Sequence, residues 1–207
     1  EITELMHELA SHYTLTDSDR REYSIEIDPR TVTRDSLALL KGLGFNRLSL
    51  GVQDFDEHVQ KAINRLQSYE MIESLTEASR LYEFKSISYD LIYGLPFQTL
   101  ASLSATLDKV ITLSPDRIAF YSYAHVPWKI ANQKLINEDD LAKGIDKFNL
   151  FAKARVEFAN SEYIEIGFDH FAKKGSLLAN AKRDGYLTRN FMGYTHKKAS
   201  ALIGSSV

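Results

Sequence analysis

An α/β fold built as an open, partial β/α barrel is what this sequence predicts, and three observations predict it. Strand-like and helix-like segments alternate from Glu22 onward, which implies parallel strands joined by right-handed crossovers. Four of the strands alternate so that one face is aliphatic or aromatic. Their opposite face is small and polar, with Glu26, Gln53 and Asp90 near the carboxyl ends of successive strands. A doubly wound sheet is apolar on both faces, and a filled barrel centre carries bulky branched residues. A polar inner face therefore indicates a wet cavity able to hold a ligand.

The chain opens in an amphipathic helical pattern through Ile2, Leu5, Met6 and Leu9. Strand candidates are YSIEID (23–28), RLSLGVQ (47–53), SISYDLIY (86–93), RIAFYSYA (117–124) and YIEIG (163–167). Thr33 starts a helix carrying Leu37 and Leu40, and Gly42 and Gly44 punctuate its end. Gly94 and Pro96 stop the third strand in a turn. Thr99 starts a helix with Leu100, Leu103, Leu107 and Ile111 on its apolar face, closed by Ser114-Pro115. A long helix across 139–160 is expected to present Leu141, Ile145, Phe148 and Ala152 on one side. The apolar strand faces read Ile25/Ile27, Leu48/Leu50/Val52, Tyr89/Leu91/Tyr93 and Ala119/Tyr121/Tyr123. The inner faces read Ser24/Glu26/Asp28, Ser49/Gly51/Gln53, Ser88/Asp90/Ile92 and Phe120/Ser122/Ala124. Residues 1–170 form the barrel part, and 171–207 an appended, irregular or helical segment.

At 207 residues the chain suffices for one sizeable domain. Its net charge of −3 is spread without a basic stripe, which argues against nucleic acid or an anionic membrane surface as partner. No apolar span reaches membrane length and no leader pattern is visible, so a cytoplasmic protein is expected. Cysteine is absent, which removes disulfides, thiol nucleophiles and thiolate metal or cluster ligands from these residues. The helical opening without an initiator Met, and the terminal ALIGSSV that reads as the start of another element, mark the chain as a piece of a longer protein.

The histidines show no short metal-ligand spacing. Asp169-His170 reads as a pair, but no Ser or Cys nucleophile accompanies it in a recognisable setting. Gly42-Leu43-Gly44 follows a helix and lacks a third glycine, so it is no dinucleotide fingerprint. Single polar residues on the inner face have an ordinary alternative role in satisfying loop backbone. Three of them on one face of successive strands favour a ligand site.

The segments IEIDPR, GFNRLSLGVQDF, Arg65 in AINRLQ, and YDLIYGLPFQT resemble the radical SAM superfamily. With YSYAHVPW, GFDHFAK and RNFMGYT they resemble, within it, the oxygen-independent coproporphyrinogen III oxidase family over nearly the whole chain. That resemblance implies a partial β/α barrel, a [4Fe–4S] cluster and S-adenosylmethionine. It also implies oxidative decarboxylation of two propionates of coproporphyrinogen III to vinyl groups in haem biosynthesis, with an external electron donor. Position by position it assigns Glu26, Gln53, Arg65, Asp90 and Ala124 to the S-adenosylmethionine site. His125, His170 and Arg189 become candidates for substrate contact, and no residue is assigned as catalytic.

The sequence departs from the family in lacking the CxxxCxxC loop and the glycine-rich strand end, both N-terminal to these residues in the family. Without them the 207 residues alone are expected to be inactive. Met192 stands where the family often carries Gln. A related haem chaperone is the alternative reading; such relatives tend to lack the DHFA and RNF.GYT segments.

Overall fold

The computed structural model describes residues 1–190, 193–199, 201 and 204. Four strands run parallel in chain order: β1 (Ser24–Ile27), β2 (Arg47–Gln53), β3 (Ser86–Tyr93) and β4 (Arg117–Ser122). The fifth expected strand, β5 (Tyr163–Gly167), does not pair with β4. A strand absent from the sequence reading, β6 (His170–Lys173), lies between them and is antiparallel to both. The sheet is six-stranded and open, in the order β1-β2-β3-β4-β6-β5. Two residues, Phe168 and Asp169, turn the chain from β5 into β6, and Phe168 adopts φ 46° there. A short hairpin, β7 (Thr188–Asn190) with β8 (Gly193–Thr195), stands apart from the main sheet.

Helices α2 (Arg34–Gly42), α4 (Tyr69–Leu81), α5 (Leu100–Leu113) and α6 (Gly144–Ala159) bury their apolar stripes with the strand side chains Leu48, Leu50, Tyr89, Leu91 and Phe120 in one core. Thr33 and Thr99 cap α2 and α5 in reciprocal boxes with Ser36 and Ser102, as their places in the sequence predict. The terminal helix α1 (Ile2–His12) contains no buried residue, although Ile2 and Met6 pack against the core edge. Helices α3 (Glu57–Ala62) and α7 (Leu177–Arg183) are short connectors. No helix among the described residues is long and apolar enough to cross a membrane.

Two expectations are corrected. Helix α6 begins at Gly144, not near 139; residues 138–140 form a 3₁₀ turn and Leu141 precedes the helix. Its buried stripe is Leu150, Ala154 and Phe158, while Ile145 and Phe148 are 67% and 61% exposed. Two stripes compete on this helix, and the one ending in Phe158 prevails because it packs into aromatic rings. Phe158 sits 4.7 Å from Phe171 and 6.1 Å, edge to face, from Phe120.

The inner face of β4 is also corrected. Ala119 is the register partner of Asp90, and neighbouring partners in a parallel sheet point to the same side. Ala119 and Tyr121 therefore face inward, and Phe120 lies among Tyr93, Phe151 and Phe158 beneath α6. An Ala/Tyr/Tyr alternation reads as apolar by composition, yet tyrosine also suits a polar wall.

Helix α5 ends on Ser114 in the left-handed conformation, φ 54° and ψ 56°, which costs a residue with a Cβ more than glycine. Ser114→Gly is expected to stabilise the chain by about 0.5–1 kcal/mol, as read by urea denaturation.

Candidate functional site

The inner sheet face and the β7–β8 hairpin enclose an open cavity of about 460 Å³. Glu26 on β1, Ser49 on β2, Ser88 and Asp90 on β3, Ala119 and Tyr121 on β4, His170 on β6 and Tyr194 on β8 line it. The sequence-predicted residues Glu26, Asp90 and His170 thus share one wall. Asp90 accepts a hydrogen bond from Ser49 Oγ at 3.0 Å, across the β2–β3 pair. Burial raises its pKa from the ordinary 3.8 to about 6; the Ser49 bond and, more weakly, Arg65 oppose this, and Glu26 adds to it. Tyr121 is pushed up to about 12, first by burial and then by the carboxylates of Asp90, Asp169 and Glu26. It is a neutral phenol at pH 7, amid acceptors.

Gln53 and Arg65 meet at Gly51, the register partner of Asp90. The β2–β3 register slips between Gly51 and Gln53, and Gln53 takes φ 63°. Such a slip strips backbone carbonyls of ladder partners, and buried carbonyls need replacements. Side chains supply them: Arg65 Nη2 donates to Gly51 O at 3.0 Å and Gln67 Nε2 at 3.1 Å, and Gln67 also donates to Val52 O. A Cβ at Gly51 would stand 2.7 Å from Arg65 Nη2 and 2.9 Å from Gln53 Nε2, so only glycine lets both side chains approach. Arg65 Nη1 lies 3.4 Å from Asp28 Oδ2. Asp28 is held down at about 2, chiefly by its bond from Arg30, and stays anionic.

The remaining candidates stand elsewhere. Ala124 follows β4, exposed, with its carbonyl accepting from Gln133 Nε2 at 3.0 Å. His125 Nδ1 lies 3.3 Å from Tyr123 Oη, and its Nε2 is 3.8 Å from Glu138 Oε1, away from the cavity wall. Arg189, on β7, lays its guanidinium over Phe168 and Tyr194 at 5.5 and 5.6 Å from the ring centroids. His170 Nδ1 is 2.6 Å from Asp169 Oδ1, and its ring meets Tyr121 and Tyr194 edge to face. Met192 and most of ALIGSSV lie outside the described residues.

Sequence reasoning missed Asp54, which is fully buried directly after Gln53. Its Oδ1 accepts from Thr106 Oγ1 and Asp56 N, each at 2.7 Å, and its Oδ2 from Gln98 Nε2 at 2.6 Å. Gln98 Oε1 in turn accepts from Gly94 N at 2.7 Å. One carboxylate therefore ties the end of β2 to the turn that ends β3. The signal for it was an acidic residue set directly between Gln53 and the apolar Phe55 at the end of a strand.

The donor set suits S-adenosylmethionine. Glu26 and Asp90 are acceptors for ribose hydroxyls or an ammonium group, and Arg65 presents a planar fork for a carboxylate. Asp90 carries the fit: half-buried and served by one hydrogen-bond donor, it gains from a ligand that brings more. Among the described residues no group of three or more His, Cys, Asp or Glu is placed to hold a metal ion.

An oxygen-independent coproporphyrinogen III oxidase of Pseudomonas aeruginosa is 46% identical over all 207 residues, and one of Helicobacter pylori 44%. The chain spans 45% and 44% of their respective lengths. The solved coproporphyrinogen III oxidase of Escherichia coli, described as a radical SAM enzyme, superposes with a TM-score of 0.90 at 42% identity. That match covers 95% of this chain and 45% of the other. A family model described as the radical SAM superfamily matches residues 1–110. With more than half of its length matched by that model, and with the open parallel sheet that residues 24–122 build, the chain belongs to the radical SAM superfamily.

Proposed function

We propose that these residues form the sheet wall of the S-adenosylmethionine site of an oxygen-independent coproporphyrinogen III oxidase. The observation that carries the reading is the half-buried, under-compensated Asp90, which shares a polar inner face with Glu26. Bound beside a reduced [4Fe–4S] cluster, S-adenosylmethionine supplies the hydrogen-abstracting radical chemistry that turns propionates of coproporphyrinogen III into vinyl groups. The chain has no cysteine, so the thiolates that hold such a cluster belong to other residues.

The roles of this chain's own side chains follow from their chemistry. Asp90 and Glu26 accept from ribose hydroxyls or the ammonium group, Arg65 and Gln53 bind the methionyl end, and the Ala124 backbone borders the adenine. Arg189 and His170 receive substrate carboxylates at the cavity rim, with Asp169 fixing the ring of His170. His125 acts at most on the border of that region, given its contacts with Tyr123 and Glu138. The cluster's electrons come from an external donor, and the cytoplasm is the compartment where such a donor and a porphyrinogen meet.

A chimera tests this: residues 1–207 replace the matching stretch of the Pseudomonas aeruginosa oxidase. Anaerobic conversion of coproporphyrinogen III to protoporphyrinogen IX within about tenfold of the parent rate is expected. A folded, cluster-loaded chimera that binds haem tightly and forms no vinyl product would move the assignment to a haem chaperone.

A further inference from the structure

A second cavity, of about 560 Å³, opens at the other end of the sheet, where β2 and β4 begin. Arginine and lysine side chains outnumber carboxylates two to one along its walls. Its centre is Glu22, whose single oxygen Oε1 serves three basic groups. Arg47 Nη2 donates to it at 2.9 Å, His196 Nε2 is 3.3 Å away and Lys197 Nζ 3.6 Å. Arg47 Nε and His196 Nδ1 are buried with no hydrogen-bond partner among the described residues.

Arg117 is the more telling group. It lines both this cavity and the inner-face cavity, where its charged neighbours are Arg47, Glu22 and Asp116. Its neighbour Asp116 is already engaged, with Oδ2 accepting from Ile87 N at 2.8 Å. Burial, and then the charge of Arg47, lower its pKa to about 10 against the opposing pull of the Glu22 and Asp116 carboxylates, so the guanidinium is still charged at pH 7. Glu22 is shared among three basic groups and Asp116 is engaged by Ile87 N, so a largely buried Arg117 that faces Arg47 gains from a further anion.

We propose that this cavity is an oxyanion site, in which the Arg117 fork takes two oxygens of a phosphate or dicarboxylate and Arg47 and Lys197 supply further charge. Guanidinium recognises both classes through the same parallel pair of N–H donors. The cavity has room for such an ion, and Lys197, about half exposed, is placed to follow it in from solvent. Glu22, Arg47 and Arg117 border both cavities, but none of them is among the residues assigned to S-adenosylmethionine, so this inference does not rest on that assignment.

The test uses the 207-residue chain in inorganic phosphate, in succinate and in chloride at matched ionic strength, read by thermal denaturation and calorimetric titration. Phosphate or succinate is expected to raise the melting midpoint by several degrees over chloride and to titrate with a millimolar or tighter Kd. Whichever of the two binds identifies the ion class. Arg117→Met is expected to weaken that binding at least tenfold, while melting no lower than the parent in anion-free buffer. Arg117→Lys, which keeps charge but loses the fork, and Lys197→Gln, at an exposed position, are expected to weaken it several-fold. These two decide the matter if Arg117→Met does not fold. Equal midpoints in all three buffers, or unreduced affinity in the folded variants, would overturn the proposal.

Discussion

Asp90→Asn is expected to stabilise the ligand-free chain by about 1–3 kcal/mol at pH 7 and to weaken S-adenosylmethionine binding by at least about tenfold. Both effects have one cause. The folded state holds the Asp90 proton more tightly than the unfolded chain does, with a pKa of about 6 against the ordinary 3.8. A raised pKa contributes stability that is fully present below about pH 4 and lost as pH rises through about 6. The gap between those two values caps the loss at about 3 kcal/mol. Asparagine does not ionise, so it avoids the loss and still accepts from Ser49 Oγ. Its advantage over aspartate should therefore grow between pH 4 and 6 and level off above. The binding penalty arises because a neutral amide is a weaker acceptor for an ammonium or ribose donor. Urea denaturation at pH 4.5 and 7, with calorimetric titration of S-adenosylmethionine, measures both. A variant less stable than the parent at pH 7 would show that the carboxylate serves the fold and not a ligand.

Much of this site was legible because strand alternation is a strong signal wherever polar and apolar residues differ sharply. Ser-Glu, Ser-Gly-Gln and Ser-Asp against Ile, Leu, Val and Tyr orient β1, β2 and β3 without ambiguity. β4 offers Ala, Tyr and Tyr against Phe, Ser and Ala, and either set can face a core. Its orientation comes from the register with β3 and from the space beneath α6, both of which are tertiary. β6 escaped notice because HFAK is four residues long and its place between β4 and β5 breaks the parallel succession. The same limit applies to α6, whose competing stripes are separated only by what lies below them. The loop contacts were least legible of all. Nothing in the spacing of Asp54, Gln98 and Thr106 announces that they meet, because they come together across turns that the sheet brings side by side.

That meeting point governs the geometry of the site, and Asp54→Ala should show it. Asp54 is fully buried and uses both carboxylate oxygens, on Thr106, Asp56 and Gln98. Burial raises its pKa, and those three bonds work against the rise. Removing it leaves Asp56 N without its acceptor and Gln98 Nε2 with Ile92 O alone, at 3.1 Å. It also opens a small void. Lost bonds with stranded donors, together with a cavity, are expected to cost about 2–4 kcal/mol. Asp54→Asn should cost less, about 1–2 kcal/mol, since its amide still accepts from Asp56 N but faces the Gln98 amide donor to donor. The two loops should then lose their common anchor, so that S-adenosylmethionine binding weakens even though Asp54 itself lies outside the cavity wall. A double-mutant cycle with Gln98→Ala separates this account from simple destabilisation. Two residues that act through one bond to position Gln53 and Gly94 should cost less together than the sum of their separate losses, with a coupling of about 1–3 kcal/mol. Strict additivity in the urea midpoints would mean that the β2 and β3 ends are held independently, and that the burial of Asp54 serves packing alone.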